Sequence, residues 1–253
     1  MIQTNGLTKQ YGSLTAVQGL NLTIPAGELF GFLGPNGAGK TTTIRMLTGL
    51  LKPTSGTAQV AGFDLASEPL KVKASIGYLA ENPFLYDKLT GAEFLRVIAD
   101  LYRVPEAGRA QRIARLLDLF ELGNKANELI GSYSHGMKQK IGLCSVLIHN
   151  PRVLFLDEPT TGLDPRSARV VKDVLRSLVE RGTTVFMSSH ILEIVENMCD
   201  RVGIINGGKL VAVGTIEELR QQAPGSSLED IFLALTGGAE YREVAEYLRE
   251  DRP

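Results

Sequence analysis

The 253-residue chain has no tryptophan, only two cysteines and three histidines, and almost no imbalance of charge. Each scarcity removes a class of protein. Cys144 and Cys199 sit in helical patterns without metal-ligand spacing. A disulfide scaffold or a cysteine zinc site is therefore excluded, and free thiols in a reducing compartment are expected. Lys and Arg number 27 against 28 Asp and Glu, a formal net charge of −1. There is no overall basic pull toward nucleic acid or anionic lipid, which leaves only a local patch for such contacts. No apolar run approaches the ~20 residues that cross a bilayer. Met1 to Gly6 lacks the charged-then-apolar pattern of a signal peptide. The chain is expected to carry no transmembrane segment of its own. Internal repeats and low-complexity stretches are also missing.

What is present is glycine, 27 residues of it, and one stretch organises the rest. Gly34-Pro35-Asn36-Gly37-Ala38-Gly39-Lys40-Thr41-Thr42 fits G-x-x-x-x-G-K-[ST], a phosphate-binding loop. The apolar run Leu29–Leu33 leads in and reads as a buried strand. A helix is expected from Thr41 to Leu51, with Ile44, Leu47, Leu50 and Leu51 at helical spacing. Glycines let successive N–H groups converge on a phosphate. The helix start adds unpaired donors and partial positive charge. Lys40 supplies a cation for the β- and γ-phosphates and Thr41 a hydroxyl for Mg²⁺.

In chain order, residues 1–28 read as short antiparallel strands, with Leu20, Leu22 and Ile24 alternating. Tyr11-Gly12 is expected in a loop. A tyrosine there suits stacking on a purine, but on its own it reads more simply as an ordinary loop residue. Residues 56–62 and the stretch ending at Leu79 read as strands, the latter opening into a loop at Glu81. From residue 88 the pattern turns helical. Thr90-Gly91-Ala92-Glu93 is a capping box; helical faces follow at Phe94–Tyr102, Ile113–Phe120 and Ile141–Ile148. Strands resume at Val153–Leu156, Thr183–Met187 and Val202–Ile205, with a hairpin at Asn206-Gly207-Gly208. The expected fold is α/β, with three parts: a phosphate-loop core around a mostly parallel sheet, an N-terminal antiparallel part and an inserted helical subdomain. The expected divisions are 1–87 with 151–215 as core, 88–150 as insertion and 216–253 as a helical tail. That tail shows capping boxes at Thr215 and Ser227 and a stripe of Tyr241, Val244, Ala245 and Leu248.

Ligands of such sheets bind at the strand carboxyl ends. Asp157 ends a strongly apolar strand and is the expected metal carboxylate. Glu158 beside it is left free to orient or deprotonate a water. His190 ends another core strand and could reach the γ-phosphate, or simply begin the next helix. Ser134 is a good N-cap for a helix opening Ser134-His135-Gly136-Met137. Lys138 and Lys140 in its first turns oppose the helix dipole, a conflict a bound anion would relieve; a surface helix with solvated lysines explains the same pattern. His149 receives no function.

Together these motifs resemble, in order and context, the ATP-binding subunit of ABC transporters. The resemblance rests on Tyr11, the loop at 34–42, Ser134-His135-Gly136-Met137-Lys138-Gln139, Leu156-Asp157-Glu158-Pro159, Gly162-Leu163-Asp164-Pro165 and His190, and it runs to about residue 215. It implies that Tyr11 stacks on adenine, that residues 34–42 hold the phosphates, and that Thr41 and Asp157 support Mg²⁺. Glu158 is then the catalytic carboxylate and His190 a γ-phosphate contact. Ser134, His135, Gly136 and Met137 would touch the ATP of a second protomer, and Asp164 would lie where the two sites meet. The implied assembly is a head-to-tail homodimer, or a pair with a closely related ATPase subunit. It would sit peripherally on the cytoplasmic face of the membrane, driving a separate permease.

Two departures stand out. His135 replaces the first glycine of the family's Leu-Ser-Gly-Gly-Gln, and Glu81 stands where the family usually has Gln. Glu81 can still ligate or sense Mg²⁺. Both departures resemble exporter-type subunits, as does Ser227–Leu233, so export is expected. A soluble ABC-type ATPase acting on nucleic acid or ribosomes is the competing reading, although such chains usually carry coiled coils or two ATPase units. A GTPase is the third. Its only support is Asn124-Lys125-Ala126-Asn127, which lacks the final Asp.

Overall fold

A computed structural model of the chain describes residues 1–221 and 227–237. The first part is antiparallel. β1 (Ile2–Tyr11) pairs with β2 (Leu14–Ile24), then β3 (Leu29–Leu33) enters the main sheet and α1 (Lys40–Leu47) leaves the glycine loop. β4 (Ser55–Val60) and β5 (Phe63–Asp64) complete a four-stranded sheet in the order β2-β1-β4-β5. α2 (Pro69–Ser75), with proline at its start, leads into β6 (Ile76–Leu79).

The chain is then helical through α3 (Gly91–Leu101), α4 (Arg109–Leu119) and α5 (His135–Leu147), with two short 3₁₀ turns between α4 and α5. The capping box expected at Thr90 is formed: Glu93 N donates to the Thr90 hydroxyl and Glu93 Oε2 accepts from Thr90 N. Alternation resumes with β7 (Val153–Asp157), α6 (Pro165–Glu180), β8 (Thr184–Ser189) and α7 (Leu192–Met198). β9 (Arg201–Asn206), β10 (Lys209–Gly214), α8 (Ile216–Gln221) and α9 (Leu228–Thr236) follow. Lys209 pairs with Asn206 across Gly207-Gly208, the expected hairpin. Both tail capping boxes are formed, at Thr215 and at Ser227. The stripe at Tyr241, Val244, Ala245 and Leu248 lies outside the described residues.

The main sheet runs β10-β9-β3-β8-β7-β6, parallel except for the β10 edge. Its central strands β3, β7 and β8 are buried on both faces, which is why they read as apolar runs. Their side chains alternate between two cores. Leu29, Leu33, Leu154, Leu156, Val185 and Met187 pack with the helices of one layer. Phe30, Phe32, Phe155 and Phe186 pack with α1 and the antiparallel sheet. Ring centroids of Phe186 lie 5.1–5.7 Å from the other three. Truncating a buried phenylalanine of this kind costs about 3–5 kcal/mol.

Two expectations need correction. The helix after the glycine loop ends at Leu47 rather than Leu51. Thr48 caps it, and Leu50 is exposed. Its apolar spacing continues past a turn that Gly49 closes in the left-handed region (φ 70°). Tyr11 is not in a loop. It is the last residue of β1, facing Leu14 across Gly12-Ser13, because Gly12 (φ 56°) makes the turn one residue later.

Candidate nucleotide site

Strand register builds the site. Leu33 of β3 stands beside Ser189 of β8, and Ser188 beside Asp157 of β7. Adjacent strands lie ~4.8 Å apart. The residues that follow, Gly34, His190 and Glu158, therefore leave three neighbouring strands at one carboxyl edge. Glu158 and His190 share a cavity of about 260 Å³ with the loop residues Pro35, Asn36, Gly37, Ala38, Gly39, Lys40, Thr41 and Thr42, and with Ala16, Glu81 and Asp157. A larger cleft of about 1310 Å³ lies between α4, the end of α5 and α6. Neither the glycine loop nor a strand-end carboxylate reaches it, so chemistry rather than size singles out the smaller cavity.

The loop is held by close backbone approaches that only glycine permits. A Cβ on Gly39 (φ 109°) would lie 2.5 Å from the Ala16 carbonyl oxygen, and one on Gly34 2.5 Å from that of Ile205. The β9–β10 turn clamps it further, with Gly208 N donating to Ala38 O and Gln18 N to Gly208 O. Gly39 caps α1 without a side-chain bond, and no acid occupies the helix's first turn. Its leading N–H groups thus remain available as phosphate donors.

Lys40 is buried, and its ammonium donates to the carbonyls of Gly34 (2.7 Å) and Pro35 (3.3 Å). Burial lowers its pKa from the ordinary lysine value; the carboxylates of Glu158, Asp157 and Glu81 oppose that shift. Thr41 Oγ1 donates to Asp157 Oδ2 at 2.8 Å, and Ser188 Oγ donates to Asp157 Oδ1. Glu158 N donates to Ser188 O at 3.3 Å. Ser188 thus orients both acids. Nothing but its place at a strand end marked it in the sequence.

Glu158 is buried in the left-handed region, φ 51°, a conformation that costs a non-glycine residue roughly 1–3 kcal/mol. It turns the chain away from the strand immediately after Asp157. Its Oε1 accepts from His190 Nδ1 at 2.8 Å, while its buried Oε2 has no partner among the described residues. A carboxylate only accepts, so His190 Nδ1 carries the proton.

Thr41 Oγ1 and Asp157 Oδ2 are adjacent hard oxygens of the kind Mg²⁺ takes alongside phosphate and water. Among the described residues no group of three His, Cys, Asp or Glu side chains gathers as a metal cage. Glu81 lines the same cavity.

The other predicted residues lie apart. Tyr11 is 48% exposed, with Lys9 Nζ 5.1 Å from its ring centroid. Ser134 caps α5, accepting from Met137 N at 3.3 Å. Asp164 caps α6, and hydrogen bonds from the Ser167 hydroxyl and N–H hold its carboxyl below the usual range. Gly136 approaches Gly162 and Leu163. The lysine conflict in α5 is resolved inside the chain: Lys138 pairs with Asp87 (3.1 Å) and Lys140 with Glu121 (3.4 Å). An anion is not needed to explain them, because each already faces a carboxylate from the preceding segment. Lys125 of the GTPase-like stretch pairs with Glu128 at 2.7 Å within the helical part. Both cysteines are buried free thiols whose pKa burial pushes up.

The fold and site define a phosphate-loop nucleotide-binding protein. The ABC transporter family pattern matches residues 17–161, and the chain belongs to that family. It is 44% identical over 219 residues to the daunorubicin/doxorubicin resistance ATP-binding protein DrrA of Streptomyces peucetius, a match covering 87% of this chain and 66% of that protein. Its fold superposes with TM-score 0.88 on the ATP-binding subunit of an ABC transporter at 31% identity, covering 93% of this chain and 99% of the other. A dimeric ATP-binding cassette in a post-hydrolysis state, bound to ADP and Pi, matches with TM-score 0.78 at 25% identity, covering 85% and 98%. No helix among the described residues is long and apolar enough to cross a membrane.

Proposed function

We propose that the chain is the ATP-hydrolysing subunit of an exporter and powers a separate membrane permease from the cytoplasmic face. The observation that supports this most is the hydrogen-bonded row Thr41–Asp157–Ser188 beside Glu158–His190 at one sheet edge. In this reading the phosphates enter the glycine loop. Lys40 exchanges the carbonyls of Gly34 and Pro35 for phosphate oxygens, and Tyr11 stacks on adenine. Thr41 and Asp157, with Glu81 close by, would hold Mg²⁺, which when bound neutralises charge developing on the phosphates. Glu158 Oε2 accepts the proton of the attacking water while His190 holds Oε1 in place. Residues 1–87 and 151–215 act as core, 88–150 as helical subdomain and 216–253 as tail. Ser134, His135, Gly136 and Met137, with Asp164, meet the second protomer in a head-to-tail homodimer or a pair with a related subunit. The resistance protein DrrA supports export.

The test is Glu158→Gln. The amide keeps the size of the side chain but cannot take a proton. A general base contributes about 10²–10⁴ in rate, so phosphate release should fall at least a hundredfold with ATP binding retained. Size-exclusion chromatography with ATP and Mg²⁺ should then show a trapped dimer. Retained turnover would remove Glu158 from the mechanism.

A further inference from the structure

The larger cleft, of about 1310 Å³, concentrates positive charge in a chain whose formal net charge is −1. Arg109, Arg112 and Arg115 follow one another at three-residue spacing on α4, so they share one face of that helix. Arg103 joins them from the turn after α3, and Arg181 from the end of α6. Among the described residues no lysine lines the cleft, and its one acid, Asp173, already faces Arg169 at 3.8 Å. Arg109 pairs with Asp100. Arg103, Arg115 and Arg181 are exposed and have no ion-pair or hydrogen-bond partner for their side chains among the described residues. Arg112 is held differently. Its Nε donates to Ile148 O at 2.6 Å, and its Nη2 to Leu147 O at 2.9 Å and Asn150 Oδ1 at 2.6 Å. Those partners are neutral, so the guanidinium is oriented while its charge stays unpaired.

We propose that this cleft is a second anion site, separate from the nucleotide edge, and that it takes a chain of two or more phosphates. A guanidinium presents a planar fork of donors that matches phosphate oxygens in pairs, which an ammonium does not. The arginines line a concavity larger than the roughly 300–1,000 Å³ of ordinary ligand pockets. The fit is therefore to a molecule that enters it, not to the plane of a bilayer or the side of a duplex. A single phosphate meets one wall, whereas a chain of them meets arginines from both α4 and α6. Bound there, the anion relieves the repulsion between the walls and ties the helical part to the sheet, so it stabilises the folded chain by mass action.

The experiment uses the full chain carrying Lys40→Ala, which removes the cation of the glycine loop so that the titration reads the cleft. Inorganic tripolyphosphate and, separately, ADP are titrated by calorimetry without Mg²⁺. Saturable binding should remain, and Tm should rise with either titrant. Arg115→Glu and Arg181→Glu, both at exposed positions, should each weaken binding at least about tenfold, as losing a hydrogen bond between charged groups does. Arg112→Lys keeps the charge but loses the fork, and should weaken it too. Lys73→Ala, exposed on α2, should change nothing. Tighter binding of ADP would name a nucleotide as the ligand and tighter binding of tripolyphosphate a free polyphosphate; either supports the site. Absence of saturable binding would overturn the proposal, as would unchanged affinity in both Arg115→Glu and Arg181→Glu. An equal loss in Lys73→Ala would reduce it to bulk attraction, and inorganic phosphate binding as tightly as tripolyphosphate would overturn the need for a chain. Should Lys40→Ala fail to fold by circular dichroism, wild type provides the test: tripolyphosphate should fill two sites per chain, of which Arg115→Glu removes one, and a single site unaffected by Arg115→Glu would overturn the proposal.

Discussion

The edge around Lys40 and the surface from Ser134 to Asp164 are built on opposite plans. At the first, Lys40, Asp157, Glu158 and Ser188 are buried, and the polar groups are already paired: Lys40 to two carbonyls, Thr41 and Ser188 to Asp157, and the more exposed His190 to Glu158. At the second, Ser134, His135 and Asp164 are exposed, and Ser134 and Asp164 bond only as helix caps. The buried edge is organised by strand register and needs no other molecule to hold its shape. The exposed surface carries the two helix caps and the Gly162 turn. In the proposed assembly a second chain completes it. The contrast predicts that damage at the edge removes binding or chemistry in a single chain, whereas damage at the surface leaves the single chain competent and stops only what two chains do.

The largest expected effect is at the edge. Lys40→Ala removes the only side-chain cation of the loop, and ATP binding and hydrolysis should both be lost. Near wild-type hydrolysis by this variant would break the comparison at its first term. Ser134→Arg attacks the surface. Monomer ATP affinity should stay within about twofold, while ATP-driven dimerisation and turnover disappear. A fall in monomer affinity would mean that the helix start belongs to its own chain's site.

A smaller effect sharpens the edge. Ser188→Ala leaves Asp157 Oδ1 without its donor. A hydrogen bond to a charged group contributes about 1.5–3 kcal/mol, so the Mg²⁺ concentration giving half-maximal hydrolysis should rise at least about tenfold. Titration of Mg²⁺ at saturating ATP checks this, and an unchanged requirement would make Ser188 a bystander.

The smallest effect lies away from both regions. His149 stacks on Tyr102 (centroids 3.7 Å apart), and its Nε2 lies 2.9 Å from Ile76 O, so that nitrogen carries the proton. Burial pushes its pKa down, as does Arg112 nearby, while the Ile76 carbonyl opposes them. A histidine depressed in the folded state is protonated first in the unfolded chain. Its contribution is therefore whole above about pH 6.5 and is lost as pH falls toward the depressed folded value, by at most about 1.4 kcal/mol per pH unit. The Tm should drop between pH 7 and 5.5, and His149→Asn should flatten that slope. An equal slope in both proteins would assign the loss to other groups.

Much of the edge was legible because its signals are local. Glycine spacing from 34 to 39 and the apolar runs ahead of Leu33, Asp157 and His190 name both the residues and their strand ends. Ser188 and Ala16 were barely legible: a serine at a strand end and an alanine in another strand name no partner until β8 is laid beside β7 and β2 beside the loop. Tyr11 was misplaced by one residue because Gly12 hid the turn that follows it. Lys138 and Lys140 looked unpartnered because Asp87 and Glu121, 51 and 19 residues earlier, are brought to them only by the packing of α5.

The sequence by itself determined most of the elements, the buried faces and which polar residues stand at 34–42, 157–158 and 190, since side-chain alternation, glycine freedom and capping act over a few residues. Only the tertiary structure decided that β3 lies between β8 and β9, that Glu158 meets His190, and that His135 fills the gap at Gly162. Those contacts join residues up to 171 apart, the separation spanned by the Leu29–Asp200 bond at the start of the β3–β9 pairing. Such pairings follow from how two layers of apolar surface close over one sheet, which no local pattern encodes.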